Sequence, residues 1–354
     1  MTTNACEPIL FHKGVSILET KTKTKARLPK ALKAVIVAAC VLAVITACAV
    51  TSMNWRSNPA RIIHYETENP YIMEMEKTQI SAHRSGGGIM PEETMMAFKN
   101  CAENDSFEID VFEFDLHITK DGVLVLLHDD TLDRTSNSEA VFGVKNARPE
   151  DYTYEELRKL NMGAKFVDEN GNMPYADYAG DEIPDDIKIL RIEDVLDYLS
   201  SMGDYDYIIE IKNGGELGKQ GVDTLYRILS ERSLLDSVVF GTFKEEISLY
   251  VDDNHPDLLR SATIKEVLSF YCAALTNKED FEPGYSVLQI PYGLPFTLAI
   301  NLGTAQIINY AHSKNIAVQY WTINDEGDME YLRSLGADCI MTDYPDRLYE
   351  ISVK

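Results

Sequence analysis

Four short stretches of this 354-residue chain place ionisable side chains at or near the ends of apolar runs. The first ends in His83-Arg84, the second carries Glu113-Phe114-Asp115, the third ends in His128-Asp129 and the fourth in Glu210-Ile211-Lys212. Such groups are costly inside apolar runs unless they are paired or bind a ligand. On a strand, Glu113 and Asp115 project to the same side. Glu210, at another strand end, completes a three-carboxylate cluster that repels itself unless a cation neutralises it. Oxygen-only donors favour a hard ion, Ca²⁺ or Mg²⁺, and no Cys/His spacing points to zinc. His83 and His128 suit a general acid and base pair, because imidazole titrates near neutral pH. Arg84 and Lys212 are cations able to hold phosphoryl oxygens, and Lys212 is equally an ion-pair partner for the carboxylates. His117 continues the face of Glu113 and Asp115 and is a candidate for a supporting layer behind them. Gly86-Gly87-Gly88 lets backbone approach a phosphate, although a glycine triplet alone is usually just a turn. A lone Glu-x-Asp is most often a surface salt bridge. The coincidence of four strand ends favours a site instead.

Strand-like runs over Gln79–His83, Glu108–Leu116, Val123–His128, Tyr207–Ile211, Val238–Gly241, Tyr285–Ile290, Ile316–Trp321 and Asp338–Thr342 must position these groups. Leu258–Ala262 is a ninth, weaker run. Amphipathic stretches such as Glu93–Glu103, Arg191–Ser200, Gly218–Glu231, Thr304–Ser313 and Asp325–Leu335 lie between them. This alternation over residues 78–354 predicts a (β/α)₈ barrel, whose strand ends meet at one face. Thr119-Lys120-Asp121-Gly122 leaves room only for a tight turn, so the flanking strands pair antiparallel and distort the barrel. Residues of about 135–189 read as an insertion with its own apolar stretch, Tyr152–Leu160. Its Tyr175 and Tyr178 fit ordinary packing better than a cap on the site.

Residues 34–53 contain no charge, and such a run is long enough to cross a bilayer. Residues 1–33 hold seven basic and two acidic side chains, net +5, and the remainder carries −29 of the total −24. A basic leader stays in the cytoplasm, so the expected arrangement is a single-pass anchor with the body outside. Residues 54–77 read as a polar connector. A cleaved signal peptide and a lipoprotein ending at Cys48 are the rival readings of the anchor. The acidic body excludes general nucleic-acid binding, which needs a basic face. The six cysteines give no disulfide framework; Cys101, Cys272 and Cys339 in the body are expected to be buried.

Together these motifs resemble the glycerophosphodiester phosphodiesterase family. The resemblance rests on Ser81-Ala82-His83-Arg84, Pro91-Glu92-Glu93-Thr94, Glu113-Phe114-Asp115, Thr119-Lys120-Asp121-Gly122, His128-Asp129 with Arg134-Thr135, Glu210-Ile211-Lys212, Tyr320-Trp321-Thr322-Ile323-Asn324 and Thr342-Asp343-Tyr344-Pro345-Asp346. It implies a distorted TIM barrel, preceded here by one transmembrane helix. It implies divalent-cation-dependent hydrolysis of a glycerophosphodiester, or another phospholipid-derived substrate, with release of glycerol 3-phosphate. It matches the catalytic histidines to His83 and His128, the metal carboxylates to Glu113, Asp115 and Glu210, and the phosphate cations to Arg84 and Lys212. It also puts Trp321 beside the site. Two departures stand out: the family has Gly where this chain has Ser85, and commonly Asn where it has Glu93. The rival functions are a phospholipase acting on lysophospholipid or another membrane phosphodiester, and a membrane-tethered binding module without activity. The intact set of ionisable residues argues against the second.

Overall fold

The computed structural model describes residues 29–57, 63, 65–74, 77–292 and 301–353. The leader expected over 1–33 lies mostly outside these, as do the side chains of Trp55 and of the last turns of the first helix. That helix, α1, spans Lys30–Ser57. Its segment Lys30–Cys48 is long and apolar enough to cross a membrane, by length and composition. Within it, Thr46 returns its hydroxyl to the Leu42 carbonyl at 2.9 Å, which satisfies the polar group inside the apolar run.

The body strands are β1 (Gln79–Ala82), β2 (Val111–Ile118), β3 (Leu124–Leu126), β4 (Asp206–Ile211), β5 (Val238–Gly241), β6 (Val287–Pro291), β7 (Ala317–Trp321) and β8 (Cys339–Thr342). The helices are α2 (Met95–Ala102), α3 (Ser138–Phe142), α4 (Tyr154–Leu157), α5 (Ile192–Met202), α6 (Gly215–Arg232), α7 (Glu245–Asn254), α8 (Ile264–Thr276), α9 (Ala305–Ser313), α10 (Glu326–Ser334) and α11 (Pro345–Ser352). Seven strands run parallel in the order β5-β4-β2-β1-β8-β7-β6. Leu258–Ala262, the weakest strand-like run in the sequence, supplies the missing stave. Arg260 bridges Phe240 of β5, and Ser261 bridges Val287 of β6, both in parallel. The ring is therefore the distorted TIM barrel that strand–helix alternation predicts. The Thr119–Gly122 turn also folds as expected, with β3 antiparallel to β2.

Strand β2 shows how sequence builds both faces. Its eight residues are all buried. Phe112, Phe114, Leu116 and Ile118 face the main core between sheet and helices, with Phe98 of α2 and Tyr207 of β4. Alternation then turns Val111, Glu113, Asp115 and His117 the other way. Val111 lies in a second cluster of strand-start residues with Ile208, Val239, Val287 and Ala317. Tyr71, only 3 % exposed, packs into that cluster. Asn69 holds it there by donating from Nδ2 to the Ser286 and Asn315 carbonyls at 2.7 and 2.9 Å. Residues 69–73 thus stopper the N-terminal end of the barrel, and are more than a connector. The insertion has a core of its own, built from Leu132, Leu157, Leu160, Met162 and Ile189 against Val125 and Leu127. One cysteine departs from expectation: Cys101 and Cys339 are buried, but Cys272 on α8 is exposed.

Candidate active site

The parallel register sets Asp115 of β2 directly beside Glu210 of β4. Glu113 lies one step back on the same face of β2. The chain leaving β1 turns sharply through His83–Ser85, with Arg84 and Ser85 both left-handed at φ 48° and 64°. The turn delivers the Arg84 backbone N–H to Glu113 Oε2 at 2.7 Å. His83, Glu113, Asp115, His128, Glu210 and Trp321 line one pocket at the C-terminal end of the strands. Phe243 stands on its rim, edge-on to Trp321 at 5.9 Å.

Each histidine is held at Nδ1 by a carboxylate. His83 Nδ1 pairs with Asp343 Oδ1 at 2.6 Å, and Asp343 is in turn fixed by the Asn324 amide at 2.7 Å. His128 Nδ1 pairs with Asp129 Oδ1 at 2.7 Å. Holding Nδ1 leaves Nε2 as the working nitrogen, and His83 Nε2 lies 4.0 Å from Glu113 Oε2. The two rings sit in opposite fields. For His83, burial pulls the pKa down, but Glu113 and Asp343 outweigh it and the net shift is upward. For His128, burial, Lys212 and Arg84 outweigh Asp115 and Asp129, and the net shift is downward.

The carboxylates are crowded. Burial and the Asp115 charge push Glu113 up to about 7 and Glu210 up to about 8. Burial also opposes ionisation of Asp115, but Lys212, His128 and Arg84 outweigh it and hold its pKa low. Lys212 Nζ lies 3.3 Å from Asp115 and 3.2 Å from Glu210, and Arg84 Nε lies 3.9 Å from Asp115. Asp115 Oδ2 and Arg84 Nε are buried without a hydrogen-bond partner. Among the described residues, no three His, Cys, Asp or Glu side chains already stand in metal-ligating geometry. The donor set nevertheless fits a hard divalent cation: three oxygen donors share one buried corner, one has a free oxygen, and burial and the Asp115 charge push the pKa of the other two upward.

Arg84 and Lys212 are not in the pocket lining but reach its carboxylates, whereas His117 stands apart from both. It is fully buried, both ring nitrogens lack a hydrogen-bond partner, and burial lowers its pKa to about 4. It does not line the pocket. Gly86–Gly88 also has a packing reason to be glycine: a Cβ on Gly88 would meet the Tyr344 ring at 2.6 Å. Sequence reasoning gave no role to Asp129, Asp343, Asn324, Glu92, Glu93 or Arg134. Their only signal was membership of the motifs that carry the family resemblance, in which Glu93 is a departure. Glu93 is buried, with φ 55°, and accepts the Asp115 N–H at 2.7 Å. Tyr175 packs against Phe166 and, like Tyr178, does not line the pocket.

Comparison with known proteins agrees with this geometry. Residues 83–347 match the glycerophosphoryl diester phosphodiesterase family. The glycerophosphodiester phosphodiesterase of Caldanaerobacter subterraneus subsp. tengcongensis is 29% identical over 279 residues, covering 78% of this chain and 98% of the relative. That of Bacillus subtilis is 26% identical, covering 79% and 88%. Among solved structures, a glycerophosphoryl diester phosphodiesterase of Silicibacter pomeroyi superposes with a TM-score of 0.62 at 20% identity, covering 80% of this chain and 95% of that one. An Oleispira antarctica phosphodiesterase, solved with its product sn-glycerol-3-phosphate, gives 0.60 at 19% identity, covering 78% and 97%. A barrel of this topology, matched to the family profile across three quarters of its length, places the chain in the glycerophosphoryl diester phosphodiesterase family, as an enzyme of the glycerophosphodiester phosphodiesterase type.

Proposed function

We propose that this chain hydrolyses glycerophosphodiesters to glycerol 3-phosphate and an alcohol, with His83 and His128 as the acid–base pair and a divalent cation on Glu113, Asp115 and Glu210. One observation carries the reading: both histidines and all three carboxylates line a single pocket, and each ring is anchored at Nδ1 by an aspartate. Family members generally need a divalent cation, in keeping with this donor set. When bound, the cation supplies positive charge against the phosphodiester oxygens.

This chain's own residues do the rest. Arg84 and Lys212 already lean on Asp115 and are placed to neutralise phosphoryl oxygens. One histidine deprotonates the attacking hydroxyl and the other protonates the leaving alcohol. With the protein's charges alone, His83 is shifted toward the protonated form and His128 toward the free form, the direction of split that a paired acid and base use. The attacking hydroxyl is the glycerol hydroxyl next to the phosphate, giving a cyclic phosphate that water then opens. Phe243 is 49% exposed on the pocket rim beside Trp321, an apolar wall that favours lysophospholipid as a second substrate class. We also read α1 as a membrane anchor, with the basic leader cytoplasmic and the barrel outside.

The test assays the full chain in detergent against glycerophosphocholine, glycerophosphoethanolamine and glycerophosphoglycerol, with Ca²⁺, Mg²⁺ or chelator. Cation-dependent release of glycerol 3-phosphate supports the reading. Silence on all three with turnover of lysophosphatidylcholine moves it to the second class. Silence on everything refutes it.

A further inference from the structure

His128 and Arg84 are joined by an arc of charged side chains that the reaction as described does not use. Arg134 lies at its centre. Its Nε donates to Asp129 Oδ2 at 2.6 Å, and its Nη2 to Asp129 Oδ1 at 3.1 Å. The other edge of the guanidinium takes Glu92, with Nη1 to Oε2 at 2.8 Å and Nη2 to Oε1 at 2.6 Å. Glu92 Oε1 also accepts from Arg84 Nη1 at 3.2 Å. Asp129 Oδ1 in turn holds His128 Nδ1.

From this geometry we infer that Arg134 is a positioning residue, a clamp that fixes the His128 ring through Asp129 and the Arg84 guanidinium through Glu92. The inference rests on the proposed roles of His128 and Arg84. A planar fork with donors on two edges fixes the orientation of two carboxylates at once; a lysine ammonium is a point charge that pairs with carboxylates without setting their planes. The Arg134 side chain is 44% exposed. Ion pairs that open to solvent contribute little to stability, so the value of this one lies in orientation. Without it, Asp129 is free to turn off His128, and Glu92 is free to leave Arg84. Arg134 also stands at the root of the insertion, and so ties that subdomain to the turn that carries Glu92 and Glu93.

The experiment measures glycerophosphocholine turnover by the full chain in detergent for wild type, Arg134→Met, Arg134→Lys, Asp129→Asn and the Arg134→Met/Asp129→Asn double variant. Arg134→Met lowers kcat about tenfold or more. Arg134→Lys recovers only part of the loss. In the Asp129→Asn background, Arg134→Met costs several-fold less than in wild type, the remaining loss coming from the Glu92–Arg84 arm, because residues acting through one another are not additive. Losses that multiply overturn the inference, as does a wild-type kcat in Arg134→Met. If Arg134→Met shows no cooperative melt, Arg134→Lys decides, and wild-type kcat in that variant is equally fatal. A readout without turnover separates this idea from the proposed reaction: the His128 imidazole ¹⁵N resonances, assigned with His128→Gln, shift in Arg134→Lys. An unshifted ring overturns the clamp. A shifted ring in a wild type that hydrolyses nothing leaves the clamp standing and sinks the reaction.

Discussion

Ser85 and Glu93 stand where the family resemblance implies Gly and commonly Asn, and both fall on left-handed backbone, with φ 64° and 55°. That region suits Gly, tolerates Asn and strains other residues. Holding such a residue there costs on the order of 1 kcal/mol. Ser85 has a second defect, since it is 1% exposed and its Oγ has no hydrogen-bond partner. A buried unsatisfied hydroxyl costs about 1–3 kcal/mol. Gly at 85 removes both penalties but returns roughly 0.5–1 kcal/mol of chain entropy to the unfolded state. The net expectation for Ser85→Gly is a gain of about 1–3 kcal/mol. Glu93 is 4% exposed, and burial, Asp115 and Glu92 push its pKa well up. Asn keeps an acceptor for the Asp115 N–H and removes the buried acid, for a gain of about 1 kcal/mol. The two sites are joined by the Glu93 N–H to the Arg84 carbonyl at 3.1 Å, so their effects need not add. Thermal unfolding of the full chain in detergent, without divalent cation, is the assay. At about 2 °C per kcal/mol for a domain of this size, the double variant melts roughly 4–8 °C higher. Lower melting of both single variants would show that the left-handed turn is not strained as described. If Glu93→Asn also abolished a thermal shift with Ca²⁺ or Mg²⁺, Glu93 would be a fourth cation ligand.

Three further outcomes follow from the same geometry. His83→Ala or His128→Ala lowers kcat toward glycerophosphocholine by about 10²-fold or more, and near wild-type turnover in either removes that histidine from the mechanism. Cation-free stability falls from pH 6.5 to 8. Glu113 at about 7 and Glu210 at about 8 hold protons in the folded state that an unfolded carboxyl has already lost, so stability declines with rising pH by about 2–3 kcal/mol. The raised His83 pKa acts in the same direction, whereas His117, at about 4, gains its stability below this window. Denaturant unfolding at the two pH values checks this, and a flat or rising trend refutes it. Tyr71→Ala, which empties the stopper at the far end of the barrel, costs about 3 kcal/mol in the same measurement with KM unchanged; a changed KM would mean that the stopper shapes the pocket.

What the sequence could show, and what it could not, divides along a physical line. The barrel was legible because period-2 and period-3.6 patterns repeat over its whole length. β2 was legible in both its faces, since Phe112 and Phe114 alternate with Glu113 and Asp115. The stave at Leu258–Ala262 was faint because its middle residue is Arg260, 5% exposed and neutralised by Asp252 and Glu266 at 2.6 and 2.9 Å. A charge in a strand reads as a loop until its partners are known. The same reason hid the stopper, because Asn69 gains its meaning from carbonyls more than 200 residues away, and Tyr71 from the Asp236 carbonyl 165 residues away. His117 failed in the opposite sense. Its spacing puts it on the face of Glu113 and Asp115, but alternation cannot say how far along a strand the open pocket extends.

Within the site, the groups at strand ends were legible one by one, because each is an ionisable residue placed at a cost in an apolar run. The groups that hold them were not. Asp129, Asp343 and Arg134 lie in loops where polar residues need no explanation, so their types carry little information before the fold brings them to His128 and His83. Ser85 and Glu93 mark the boundary between these cases. As letters they are departures with no evident sense. As dihedral angles they are two residues held left-handed: Ser85 follows Arg84, whose N–H reaches Glu113, and the Glu93 side-chain oxygen accepts the Asp115 N–H. The strain therefore sits where the turn delivers its donors and acceptors to the carboxylates. That placement makes the stabilising substitutions a test of function as well: if Ser85→Gly and Glu93→Asn raise the melting temperature while kcat falls, the strained turn is holding the carboxylates in their working geometry. If both rise, or kcat is unchanged, the turn is a tolerated defect and its strain plays no part in the working geometry of the carboxylates.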